Sequence, residues 1–99
     1  MRVRILTSAL NDLVSGRIFY DQQGESLGDY FFDSVFADID SLALYGGIHR
    51  KVFRYHRLLT RRFPFAVYYK MDNEGAVVVY RVLDCRQNPV SIARELEAG

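Results

Sequence analysis

The sequence predicts an α+β domain with the order β-α-α-β-β-β-α. Three observations carry this reading. The apolar spacing follows a helical period through residues 8–44 and a period of two from residue 53 onward. Glycine-bearing turns at Gly24–Gly28 and Asp72–Gly75 sit where two helices and two strands would have to reverse. Short links between the later strands leave room only for an antiparallel meander.

Residues 2–6 alternate Arg2 and Arg4 against Val3 and Ile5, a short half-buried strand. Thr7 or Ser8 would cap the helix that follows. Leu10, Leu13, Val14, Arg17 and Ile18 would form its apolar face as far as about Gln22, with Gly16 weakening it modestly. A second helix is expected from about Asp29 to Leu44, with Phe32, Val35, Phe36, Ile39, Leu42 and Ala43 inward and its aspartates outward. Gly46-Gly47 would end it. Strands are expected at 53–62, 65–71 and 76–84, with Pro64 at the first link. Pro89 suits the start of a last helix, Val90 to Glu97. Two helices burying their stripes on one sheet face would leave the other face at least partly free. That face would carry some of Arg54, His56, Arg57, Arg61, Arg62, Tyr68, Tyr69, Tyr80, Arg81 and Arg86, and either Tyr68 or Tyr69 would be exposed.

The 99 residues allow one domain, spanning residues 1–99, and no repeats or linkers interrupt it. An apolar content of 49% argues against disorder. No apolar run approaches the roughly 18 residues of a membrane span, and the first residues lack a secretory pattern. One cysteine excludes an internal disulfide and a cysteine-rich zinc site, which suits a reducing cytoplasm. Cys85 reads as a buried, inert thiol. No metal-ligand spacing, phosphate loop or nucleophile motif is present, so no cofactor is expected.

Charge is unevenly distributed. Residues 1–48 hold 3 basic and 7 acidic side chains, and residues 49–70 hold 7 basic and none acidic, within a net charge of +1. Such a block would face nucleic acid, another phosphate-rich target or an acidic peptide, or else pair with the acidic helices.

Three stretches resemble the RelE/ParE superfamily of toxins from toxin–antitoxin pairs. Arg61-Arg62-Phe63-Pro64-Phe65-Ala66-Val67-Tyr68-Tyr69 is similar to its "RFPY-aliphatic-YY" strand. Ser26-Leu27-Gly28-Asp29-Tyr30-Phe31 is similar to the turn between its helices. Val82-Leu83-Asp84-Cys85-Arg86-Gln87-Asn88-Pro89 is similar to its "V-x-H-x-R-R-N/D-P" ending. The resemblance implies a small sheet wrapped by a helical hairpin and toxicity held in check by a cognate antitoxin. The antitoxin's acidic C-terminal segment would match the basic block. Arg54, Arg57, Arg61, Arg62, Tyr68 and Arg86 would form the target or antitoxin surface. Phe31, Phe32 and Phe36 would form hairpin core and part of an antitoxin groove.

ParE-type members are associated with DNA gyrase, whereas RelE-type members cleave messenger RNA on the ribosome. A ribonuclease would need an acid, a base and charge stabilisation, and Arg86, Arg57 and His56 are the candidates. Departures from the RelE pattern stand at Pro64 or Phe65, at Asp84 and at Ile92. The implied reading is therefore a ParE-like toxin acting on gyrase in the cytoplasm, with no sequence-specific DNA binding by this chain alone. The alternatives are a RelE-type ribonuclease and an inactive antitoxin-binding module.

Overall fold

A computed structural model of the chain describes residues 1–98. The elements are β1 (Val3–Ile5), α1 (Thr7–Asp21), α2 (Leu27–Asp40), α3 (Leu42–Tyr45), β2 (Lys51–Val52), β3 (Tyr55–Leu59), β4 (Phe65–Met71), β5 (Val77–Asp84) and α4 (Pro89–Ala98). They form a five-stranded sheet in the order β1-β5-β4-β3-β2. β1 runs parallel to β5 and all other pairs are antiparallel. The expected α+β order holds, with a one-turn helix and a two-residue strand added.

Strand alternation divides the interior. Phe65, Val67 and Tyr69 of β4 point toward the α1–α2 hairpin, with Val77, Val79 and Val82 of β5. Ala66 and Tyr68 point the other way, toward Tyr55, Leu83 and α4's Ile92 and Leu96. The second sheet face is therefore partly covered by α4. Both tyrosines are closed off, Tyr68 at 1% exposure and Tyr69 at 0%, which corrects the expectation that one would be exposed. Asn88 caps α4 by accepting from the Val90 and Ser91 N–H groups at 2.8 and 3.3 Å.

α1 does not bury its most apolar stripe. Its inward residues are Ala9, Leu13, Gly16 and Tyr20, while Leu10, Val14, Ile18 and Phe19 are exposed. The cause is close approach. A Cβ added at Gly16 would lie 2.5 Å from Cε2 and Cζ of Phe31, so only glycine lets α2's buried phenylalanine reach the helix. No side chain caps α1, and the Ser8 hydroxyl instead donates to the Tyr80 carbonyl at 2.6 Å. α2 buries Gly28, Phe31, Val35 and Ile39, and it stops at Asp40, ahead of the expected Leu44. The Ser41 hydroxyl donates to the Asp38 carbonyl there, at 2.6 Å. Phe32 and Phe36 are half-buried and stack on each other, with centroids 5.8 Å apart.

The strand expected over 53–62 is shorter, because Phe53-Arg54 is the two-residue loop of a β2–β3 hairpin and residues 61–64 form a bend. Both loop residues have positive φ, 54° at Phe53 and 71° at Arg54. Two left-handed residues are the signature of a type I′ turn, normally Asn-Gly. Phenylalanine and arginine there each cost about 1–3 kcal/mol. At the other reversal Asp72 does what its type predicts, its carboxylate accepting from the Glu74 and Ala76 N–H groups.

Candidate functional site

The basic block is spread over the sheet's β2–β3–β4 side rather than gathered at one point. Arg57 lies in mid-β3 opposite Tyr68, on the α4 side. Burial pushes the Tyr68 phenol up, and the adjacent Arg57 opposes that shift. Arg54 is exposed at the hairpin tip. Arg61 and Arg62 are exposed in the bend, not on opposite faces of a strand as their sequence positions suggest. The Arg61 backbone N–H donates to Asp38 at 3.0 Å, but its Nε stands 3.9 Å from the same carboxylate. An exposed contact that long contributes little.

His56 points to the opposite face from Arg57. It stacks on Tyr69 with centroids 5.0 Å apart, and its Nδ1 donates to the His49 carbonyl at 2.6 Å. Arg86 occupies the turn after β5, where its Nη2 lies 2.7 Å from the Asp84 carboxylate and its Nε 3.0 Å. The pairing raises the Arg86 pKa and lowers that of Asp84. An ion pair for Arg86 exists, with its own strand's carboxylate and not a helix's. Of the three ribonuclease candidates, Arg57 and His56 lie on opposite faces of the sheet, and Arg86 is paired with Asp84 in a turn.

Cys85 is exposed, contrary to the expected burial. Its pKa is nonetheless raised, first by local desolvation, with Arg57 opposing and Asp84 adding to the shift. That is the reverse of thiolate activation. Phe31 is fully buried, so its ring lines no groove. Among the described residues no group of three His, Cys, Asp or Glu side chains could hold a metal. Nor is any described helix long and apolar enough to cross a membrane.

Two arrangements lie outside what the spacing of residues indicated. Arg81, expected on the open face, is a clamp. Its Nε and Nη2 meet both Asp12 oxygens of α1 at 2.7 and 2.9 Å, and its Nη1 lies 2.8 Å from Glu95 of α4. Asp12 also accepts from the Val82 N–H at 2.9 Å. The paired carboxylates raise the Arg81 pKa. His49, given no role from sequence, shares a 2.5 Å hydrogen bond between its Nδ1 and the Tyr69 hydroxyl, while the Gly47 N–H donates to the same hydroxyl at 2.9 Å. Burial, then His56, lowers the His49 pKa.

No family model matches this sequence, and no curated protein matches it either. Among solved structures, a chain described as "Chromosomal ParDE TA system from P. aeruginosa" superposes with a TM-score of 0.73 at 17% identity. The match covers 83% of this chain and 92% of that one. The chain has a ParE-like fold.

On this ParE-like fold the residues of the three resembling stretches take distinct places. Phe63 and Phe65 pack around Phe31 and Tyr20 at centroid separations of 4.8–6.2 Å, which ties the β3–β4 bend to the hairpin. The Gly28 N–H donates to the Asp21 carboxylate at 2.9 Å, closing the α1–α2 turn. The ParE-like hairpin turns outward an α1 stripe of Leu10, Val14 and Ile18, at 40%, 49% and 55% exposure. Arg17 links that stripe to α2, 5.6 Å above the Phe32 ring and bonded to Asp29.

Proposed function

We propose that this chain is the toxin of a type II toxin–antitoxin module, of the ParE kind, held inactive by a cognate antitoxin. The observation that carries the proposal is the ParE-like fold, in which Arg57 and His56 stand on opposite faces of the sheet and Arg86 is paired with Asp84. General acid–base cleavage of RNA requires groups within hydrogen-bond reach of one phosphate. A poison acting by binding needs no such convergence.

The antitoxin surface is the outer α1 stripe. Leu10, Val14 and Ile18 recur every four residues, beside the half-buried Phe32 and Phe36. An extended or helical segment with apolar anchors would cover them. Exposed Arg61 and Arg62 would meet its acidic side chains, speeding association and fixing register. DNA gyrase is the proposed target, in the cytoplasm.

The test is induced expression of this chain alone in a bacterium, with growth and messenger RNA integrity followed together. Growth arrest with intact transcripts, relieved by the antitoxin, is expected. Arrest with transcripts cut at ribosome-bound codons would replace the proposal with a RelE-type ribonuclease. Normal growth with folded protein would leave an inactive antitoxin-binding module.

A further inference from the structure

The β2–β3 hairpin tip gathers features that neither core uses. Phe53 is held outward at 44% exposure by a backbone conformation that disfavours its side chain. Glycine or asparagine would make the same turn without strain. Exposed Arg54 follows it, and exposed Lys51 and Lys70 flank it on β2 and β4. Among the described residues none of these three cations makes an ion pair. Lys70 Nζ sits 4.5 Å from the Tyr55 ring centroid and 5.5 Å from that of Tyr80, which fixes its position without neutralising it.

Two hollows meet at Arg54 and Lys70. One, of about 480 Å³, is lined by Phe53, Arg54, Tyr55, Lys70, Leu96 and Glu97 among others. The second, of about 250 Å³, adds Lys51, His56 and Met71. Glu97 is the one carboxylate in the linings of these hollows, so the local balance stays positive.

We propose that this tip binds single-stranded nucleic acid, with backbone phosphates on Lys51, Arg54 and Lys70 and a base stacked on Phe53. Unpaired cations beside an exposed aromatic ring fit a strand that offers a charge and a π-face at each repeat. An acidic peptide would use the cations and leave Phe53 unexplained. The readout is independent of sequence, because nothing at the tip is arranged to read base edges. It also stands apart from the proposed toxin function: the antitoxin stripe is on α1, and binding is measured on the purified chain whatever its effect on growth.

The experiment is fluorescence anisotropy of the full chain with labelled oligothymidylate and oligouridylate over a salt series, alongside thermal unfolding. Phe53→Gly is the decisive variant, because it removes the ring and relieves the turn. Binding should fall roughly 5-fold or more, the size of one lost base stack, while the unfolding midpoint stays level or rises. Lys70→Gln and Arg54→Gly should each weaken binding and lower the salt slope by about 0.7, one phosphate contact on a single strand. Glu97→Gln should tighten it. Affinity for both oligonucleotides, or for only one, supports the site. The proposal is overturned by absence of binding at low salt, by binding that all three weakening variants leave unchanged, or by equal binding of polyglutamate that ignores Phe53→Gly.

Discussion

Gly16→Ala sets two effects against each other. In an exposed helix interior this substitution gains about 1 kcal/mol. Here the new methyl would stand 2.5 Å from two carbons of the Phe31 ring, against an optimum of about 3.5–4.0 Å. Relief needs a displacement of about 1 Å, and Phe31 has nowhere to go. It is 0% exposed, stacked on Tyr20 at 5.0 Å, with Phe63 at 5.1 Å and Phe65 at 4.9 Å. Overpacking of a closed core costs up to about 3 kcal/mol, so the net expectation is a loss of about 2 kcal/mol. Urea unfolding followed by circular dichroism measures it. Phe31→Leu supplies the control, since a smaller side chain should cost less in the Gly16→Ala background than in the wild type. A gain in stability from Gly16→Ala, or coupling below about 0.5 kcal/mol between the two sites, would refute the claim that close packing sets α1's buried face.

Arg81→Met should destabilise by about 3 kcal/mol, the low end for breaking a mostly buried pair, because Asp12 keeps its charge and loses its partner. Adding Asp12→Asn should recover part of that loss in equilibrium unfolding, since asparagine can still accept from the Val82 N–H. Replacing Leu10, Val14 and Ile18 together by Gln should leave stability within about 1 kcal/mol, as exposed sites do, while antitoxin affinity measured by calorimetry falls at least tenfold. The pH dependence follows from His49, whose pKa in the fold lies below its ordinary 6.5. The unfolded chain then binds the extra proton first, so the contribution is complete above pH 6.5 and declines as the pH falls toward the lowered value. His49→Asn should flatten that part of the stability profile, and an unchanged slope would mean that His49 is not the group that titrates there.

What could be read from the chain depended on whether the deciding contact was local. The β4 strand was legible over its whole length, Phe65–Met71, because both of its faces are filled and period-two alternation needs no outside information. The face of α1 was not legible, since periodicity weighs Leu10 and Val14 above Ala9 and Gly16. The small residues win only because a phenylalanine from the next helix needs the space. The Arg81 clamp depends on Asp12, 69 residues earlier, which no spacing rule connects. The β2–β3 turn was hidden by its own composition, for Phe53-Arg54 contradicts the residue preference that normally announces such a turn. The ribonuclease candidates are the instructive case. His56 and Arg57 are adjacent in a strand, and adjacent strand residues point to opposite faces, so their separation was already written in the sequence. The same alternation places Tyr69 with His56 and Tyr68 with Arg57 across the β3–β4 ladder. A cleavage centre built on Arg57 and Tyr68 and one built on His56 and Tyr69 would therefore lie on opposite faces of the sheet.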